Sequence, residues 1–126
     1  MCGIAGFFNP SKDYTKERKK WQPVLDRMNQ TLKHRGPDGS GTYLCPSVGF
    51  SHVRLKIIDL FTGEQPMIKK RDGFDFAIVF NGEIYNMNEL KDDLIAKGAV
   101  FETASDTEVI LTGYMFYGIE YIKKLN

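Results

Sequence analysis

The chain has 126 residues, 42% of them hydrophobic, with nine Phe and six Tyr, which is enough apolar surface for one domain with its own core. Its 17 Lys and Arg residues are scattered and nearly balanced by 16 Asp and Glu, which excludes a basic surface for nucleic acid or an anionic membrane. No apolar run approaches the roughly 20 residues that span a bilayer, and no secretory signal is present, so we expect a cytoplasmic protein.

The chain is predicted to begin with a strand and a helix. The run CGIAGFF over residues 2–8 predicts a buried strand whose glycines allow close contact with other backbone. Pro23 predicts the start of a helix that ends near Lys33. Its apolar face consists of Val24, Leu25, Met28 and Leu32.

A Gly- and Pro-rich loop, HRGPDGSG at 34–41, precedes a predicted hairpin. The hairpin strands are residues 42–45 and 48–55, and Pro46-Ser47 joins them. Residues 59–75 are predicted to be loop, with Lys69-Lys70-Arg71 as a solvated part of it. The continuous apolar run at 76–80 predicts a further strand.

The last third of the chain is predicted to be helical. Asn86 is expected to cap a helix over 87–97 that ends at Gly98. The inward side chains of this helix are expected to be Leu90, Leu94 and Ile95. Ser105-Asp106-Thr107-Glu108 matches the capping box and predicts a second helix from Asp106 to about Tyr117. After Gly118, residues 119–125 resemble the start of another helix.

Cys2 is the first candidate for chemistry, because a thiol directly after the initiator methionine is in an unusual place. Removal of Met1 would give Cys2 an α-amino group with a pKa of about 7.7 to 8.0, which is low enough for that amine to act as base for its own thiol. The alternative, from Cys2 alone, is an inert packing cysteine. Cys2 and Cys45 have neither disulfide-framework nor zinc spacing, so both are expected to be free thiols.

Asn81-Gly82, at the end of a predicted strand, offers an amide side chain next to an open backbone N–H. Such a pair can form the oxyanion hole that an acyl-transfer nucleophile needs. The alternative is a type I′ hairpin turn, of which Asn-Gly is the commonest signal. Residues 83–86 do not alternate like a returning strand, which weighs against the turn.

A free amino acid as substrate would need one cation and one anion from the protein. Arg54, at the end of a predicted strand, can hold a carboxylate with its planar fork. Asp106 can face an ammonium group, although an acid at that position also suits the helix dipole. His34 and His52 have no partner at metal-ligand spacing, so we expect structural roles for both and no metal site.

Five motifs in this order resemble the class II glutamine amidotransferases and span residues 2–111. Within that class, Pro-Asp in HRGPD, Gln-Pro-Met in GEQPM and Glu-Ile-Tyr-Asn after Asn-Gly resemble the asparagine synthetase B branch rather than the amidophosphoribosyltransferases or glucosamine-phosphate synthases. The motifs are CGIAGFF, HRGPDGSG, RLKIIDLFTGEQPM, FNGEIYN and SDTEVIL.

The resemblance implies glutamine hydrolysis to glutamate and ammonia. Cys2 corresponds to the family's N-terminal nucleophile, and Asn81 and Gly82 correspond to its oxyanion hole. The residues implied to bind glutamine are Arg54, Ile57, Ile58, Glu83 and Asp106, with Ile57 and Ile58 contributing backbone groups. Residues 35–38 are implied to be a structural loop near the site.

The resemblance also implies an α+β fold of the N-terminal nucleophile (Ntn) hydrolase type, a four-layer α/β/β/α sandwich with antiparallel sheets. Residues 1–126 then form an amidotransferase domain that is incomplete at its C-terminus, and the open strand edge could pair with a second copy. The implied partner is a C-terminal synthetase domain of the same parent chain, which uses ATP and Mg²⁺ to convert aspartate to asparagine. The amidotransferase domain itself needs no cofactor.

Three other functions remain open from the sequence. The chain could be a catalytically silent glutamine-binding module, or an amidotransferase that serves another carboxylate acceptor. The third is a thiol redox or metal protein built on Cys2, Cys45 and the two histidines, His34 and His52, which no spacing supports.

Overall fold

The computed structural model describes residues 2–55 and 63–126. These residues fall into two units that alternate along the chain. The first unit contains residues up to Leu55 together with 64–66 and 79–81, and the second contains Gly63, 67–78 and 82–126. Both units combine helices with antiparallel strands, so the predicted α+β class is confirmed.

The first unit is built on a three-stranded antiparallel sheet in the order β1-β3-β2. Its strands are β1 (Gly3–Phe8), β2 (Gly39–Leu44) and β3 (Val48–Arg54). In the register, Gly3 pairs with Val53, and Gly39 pairs with Arg54. The start of β1, the start of β2 and the end of β3 therefore meet at one edge of the sheet.

The predicted hairpin is confirmed, since the Cys45 N–H donates to the Val48 carbonyl at 2.9 Å between β2 and β3. Strand β1 is less buried than predicted, because Ile4 is 42% exposed and Phe8 70% exposed. The predicted close backbone contact is confirmed at Gly6. A Cβ there would collide with the Gly49 carbonyl oxygen.

One face of this sheet packs against a 3₁₀ helix (Tyr14–Glu17) and α1 (Arg18–Leu32). The predicted helix start at Pro23 is wrong, because Asp13 caps the 3₁₀ helix and the chain continues directly into α1. A proline inside a helix costs roughly 3 kcal/mol. Packing on both sides of Pro23 offsets this cost. The core contains Phe7, Tyr14, Trp21, Leu25, Met28 and Leu44.

The second unit opens with a hairpin of β4 (Met67–Arg71) and β5 (Phe74–Ile78). The prediction of loop throughout 59–75 is therefore wrong over β4 and over the start of β5, and the strand predicted at 76–80 is observed at Phe74–Ile78. Asp72 and Gly73, with φ of 52° and 81°, form the turn. Asp-Gly is a strong hairpin signal that the expectation of loop overlooked.

Helices α2 (Met87–Ala96) and α3 (Asp106–Tyr117) follow, and a 3₁₀ helix (Gly118–Lys124) takes the place of the predicted last helix. Both α-helices lie where the sequence predicted them. Ile95 is 50% exposed, so its predicted inward position is wrong. The buried side chains of this unit include Ile84, Leu90, Leu94, Val109, Ile110, Leu111 and Tyr121.

Asn86 stands at the N-cap position of α2, but its side chain makes no capping hydrogen bond. Its amide nitrogen donates to the Lys124 carbonyl at 2.8 Å, and its oxygen accepts from the Asn126 N–H at 3.0 Å. The predicted cap is therefore replaced by a bond to the last residues of the chain. Within residues 2–55 and 63–126, no helix has the length and apolar character to cross a membrane.

Candidate active site

Cys2 directly precedes β1, next to the end of the middle strand β3. The Leu55 N–H donates to the Cys2 sulfur at 3.4 Å, and the sulfur lies 3.8 Å from the Leu55 carbonyl oxygen. The side chain is partly buried. The sheet register thus holds the thiol at the edge where β3 ends.

The loop after α1 holds the backbone of this edge. Arg35 donates from Nε to the Cys2 carbonyl at 3.1 Å, and the Asp38 N–H donates to the Arg54 carbonyl at 3.0 Å. Gly36 lies so close to β3 that a Cβ there would be 2.5 Å from the Arg54 nitrogen. The loop therefore holds the backbones of Cys2 and Arg54, as expected of a structural loop near a site.

Arg54 is the last residue of β3 and is only 9% exposed. Alternate residues of a strand face the same side of a sheet, so Arg54 shares its side with His52. Both line a cavity of about 240 Å³. Its other lining residues include Asp38, Glu64, Gln65 and Pro66. Arg54, the residue predicted to bind the substrate carboxylate, therefore lines this cavity, but neither Cys2 nor Asn81 is among its lining residues.

His52 is fully buried in β3. Burial lowers the pKa of its imidazole, and the nearby charge of Arg54 adds to the lowering, while the Phe80 backbone partly offsets it. Neither ring nitrogen has a hydrogen bond of normal geometry to any residue that the structure describes. The imidazole is therefore held neutral at pH 7.

Asn81 follows β5 and is exposed. No strand returns after it, because the chain continues through Gly82 into α2, so the alternative of a type I′ turn is wrong. The neighbouring Phe80 N–H donates to the Gln65 side-chain oxygen at 2.5 Å. Sequence reasoning missed this contact, since a bond between a side chain and a distant backbone N–H leaves no local pattern.

The other predicted site residues have fewer described contacts. Gly82 and Glu83 are exposed in the second unit. Asp106 is partly buried as the first residue of α3. Ile57 and Ile58 lie outside the described residues. The structure thus places Cys2, Arg54 and Asn81 in the first unit, with the Cys2 sulfur against the backbone of Leu55, the residue after Arg54.

The capping box at α3 is only half formed. Ser105 accepts from the Thr107 N–H at 3.1 Å, but Glu108 does not return to the Ser105 N–H. Its carboxylate instead accepts from the Glu102 and Thr103 N–H groups and from Lys69 at 2.6 Å. The predicted solvated position of Lys69 is therefore wrong, since its side chain is only 16% exposed.

Burial raises the pKa of the Glu108 carboxyl, but Lys69, the Thr103 hydroxyl and the two backbone donors together lower it below the ordinary value. Glu108 is consequently a charged group buried inside the second unit, where it serves structure. Within the described ranges, no group of three or more His, Cys, Asp or Glu side chains could hold a metal ion.

Comparison with known proteins agrees with the motifs. The model of the glutamine amidotransferase domain family matches residues 1–126. Glutamine-hydrolyzing asparagine synthetases 1 and 3 of Bacillus subtilis (strain 168) are 43% and 39% identical over 99% and 100% of this chain. Glutamine-hydrolyzing asparagine synthetase 1 of Arabidopsis thaliana is 37% identical over 100% of it.

The chain spans about a fifth of the length of these three relatives, at 19%, 20% and 20%. The family match, by contrast, covers every residue of this chain. The chain therefore belongs to the glutamine amidotransferase domain family.

Proposed function

We propose that this domain hydrolyses glutamine to glutamate and ammonia, with Cys2 as nucleophile once Met1 is removed. The observation that carries the proposal is the position of the Cys2 thiol at the end of β3, 3.4 Å from the N–H of Leu55, the residue that follows the buried Arg54. A thiol that is partly accessible suits a nucleophile better than a packing role.

The reaction is an acyl transfer in two steps. The free α-amino group of Cys2 takes the proton of the thiol, and the sulfur attacks the side-chain carbonyl carbon of glutamine. The Asn81 side chain and the Gly82 N–H donate to the oxyanion that forms. The protonated amine then gives its proton to the leaving nitrogen, so that ammonia departs and a glutamyl thioester remains.

Water completes the cycle. The α-amino group takes a proton from the attacking water, the carbon–sulfur bond breaks, and the proton returns to the thiolate as glutamate leaves. Because one residue supplies both nucleophile and base, a retained Met1 would convert the base to an amide and stop the reaction. No metal or cofactor takes part in these steps.

Substrate binding follows from the charges of the two ends of glutamine. Arg54 would bind the α-carboxylate, and its burial strengthens such an ion pair because little water competes with it. Glu83 and Asp106 would bind the α-ammonium group. Backbone groups of Ile57 and Ile58 would complete the pocket.

We also propose that the ammonia serves a synthetase domain joined to this one. The three relatives are named glutamine-hydrolyzing asparagine synthetases and are about five times longer than this chain. The synthetase domain would bind ATP and Mg²⁺ and convert aspartate to asparagine. For the amidotransferase domain we propose the four-layer sandwich of Ntn hydrolases.

Glutamate release from glutamine tests the proposed activity. In protein whose Met1 is shown by mass to be absent, Cys2→Ala is expected to reduce glutamate release to background, because no other described thiol lies at the end of β3. Cys45→Ala is the matched control and is expected to retain activity.

Activity that survives Cys2→Ala would contradict the proposal. Glutamine-induced thermal stabilisation of the unsubstituted protein without any glutamate would instead identify a silent glutamine-binding module.

A further inference from the structure

Gln65, from the GEQPM motif, has no role in the chemistry described so far. We propose that Gln65 is a positioning residue for the oxyanion hole, which holds the Phe80 N–H and so fixes the place of Asn81. This inference rests on the proposed function. It assigns a task to one side chain within the first unit, and that side chain needs no contact with glutamine.

The backbone of Gln65 packs directly against β2, because position 41 of that strand is a glycine without a side chain. A Cβ on Gly41 would collide with the Gln65 carbonyl oxygen and would lie 3.0 Å from Cδ of Pro66. Only glycine at position 41 therefore lets this segment approach the sheet. Gly41 pairs with His52 in the register, so Gln65 lies over the side of the sheet that carries His52 and Arg54.

The side chain of Gln65 reaches the backbone that follows β5. Backbone pairing of β5 ends at Ile78, so the Phe80 N–H lies beyond the strand ladder. It donates to Oε1 of Gln65 at 2.5 Å, and Phe80 is partly buried. An N–H that loses its partner where little water can replace it is costly, so this acceptor helps to hold the peptide before Asn81 in place.

His52 lies on β3, the middle strand of the sheet in the same unit. Its fully buried imidazole faces the Phe80 backbone and lines one cavity with Gln65. The residue before Asn81 is thus held through its N–H, while Asn81 itself is exposed. Gln65 thus binds the backbone of Phe80, and the proposed donor to the oxyanion is the side chain of the next residue, Asn81.

Loss of the Gln65 acceptor is expected to act on turnover rather than on binding. A misplacement of about 1 Å at a catalytic group can cost roughly 100-fold in rate. Because Asn81 can still approach its position part of the time, we expect kcat for glutaminase to fall about tenfold. Since Arg54 still holds the α-carboxylate, KM should stay within about twofold.

The experiment compares three substitutions in the full-length protein lacking Met1. Gln65→Met keeps the length of the side chain without the acceptor, and Gln65→Asn keeps an amide that is too short to reach. Both are expected to lower kcat about tenfold. Gln65→Glu retains an acceptor oxygen at the same distance and is expected to restore most of kcat.

A double-mutant cycle with Asn81→Ala separates positioning from a general loss of structure. If Gln65 acts through Asn81, Gln65→Met should cause no further loss of kcat in the Asn81→Ala background. The rate of Cys2 alkylation by iodoacetamide measures the reactivity of the thiol in a reaction that forms no oxyanion. Gln65→Met should leave that rate unchanged.

Three results would overturn the inference while leaving the proposed function intact. These are an unchanged kcat in both Gln65→Met and Gln65→Asn, a loss that appears in KM alone, and effects of Gln65→Met and Asn81→Ala that multiply independently. A wild-type protein that lacks Met1 and still releases no glutamate would instead overturn the proposed function itself.

Discussion

His52 is a buried residue whose charge state couples the candidate site to folding. Its pKa is lowered in the folded protein because burial and the charge of Arg54 disfavour the imidazolium. In the unfolded chain the imidazole protonates near its ordinary pKa of about 6.5. Stability from neutral His52 is therefore fully present above pH 6.5 and is lost as the pH falls through that value toward the lower folded pKa.

We predict that His52→Gln removes this acidic loss of stability. The free energy of unfolding is measured by urea denaturation between about pH 7.5 and 5.5, a range that brackets the ordinary histidine pKa. It should decrease as the pH falls in the wild type, and it should depend less on pH in the variant. The exposed His34→Gln variant controls for loss of a histidine. An equal slope in wild type and His52→Gln would show that another group carries the pH dependence.

Individual site residues can be predicted from the sequence where they belong to a local motif. Cys2 and Arg54 are both predicted from motifs, and the structure places the Cys2 sulfur against Leu55, the residue that follows Arg54. The link between Gln65 and Phe80 could not be predicted, because it depends on how two distant segments lie against the sheet. Burial of His52 agrees with the structural role expected for it.

At the scale of elements, strand β4 and helix α3 are joined by a buried ion pair within the second unit. Lys69 contacts Glu108 at 2.6 Å, the Thr112 hydroxyl at 3.3 Å and the Val100 carbonyl at 3.1 Å. The Glu108 side chain is only 1% exposed. A buried charge that loses its partner is strongly destabilising.

We predict that Lys69→Met lowers the free energy of unfolding by about 3 kcal/mol, because Glu108 would stay buried without its cation. Lys70→Met is the matched control. Lys70 pairs with Asp75 at the surface with its side chain 80% exposed, and its loss should change stability by less than about 0.5 kcal/mol. Equal losses in the two variants, measured by urea denaturation, would contradict the structural role of the Lys69–Glu108 pair.

The elements were predicted well where periodicity was strong and poorly where a neighbour decided the outcome. Helix α3 has the predicted bounds because Ser105 and Gly118 mark its ends locally. Helix α1 starts before Pro23, since packing of the surrounding turns outweighs the cost of an internal proline. Strand β4 was missed because its charged residues resemble loop, while Lys69 is in fact buried by pairing with α3.

For the whole molecule, the order of the motifs was more informative than any one of them. They predicted the family that the match over residues 1–126 shows. The predicted site residues belong to both units, with Cys2, Arg54 and Asn81 in the first and Gly82, Glu83 and Asp106 in the second. The central claim of the proposed function is that Cys2 is the nucleophile that attacks glutamine.

The most direct test is the intact mass of the protein before and after incubation with a diazo-ketone analogue of glutamine, followed by peptide mapping. In folded protein that lacks Met1, we predict one adduct, located on Cys2, whose formation is slowed by excess glutamine, while Cys45 stays unmodified. An unmodified Cys2 in such a sample, or an adduct on Cys45 instead, would contradict the account.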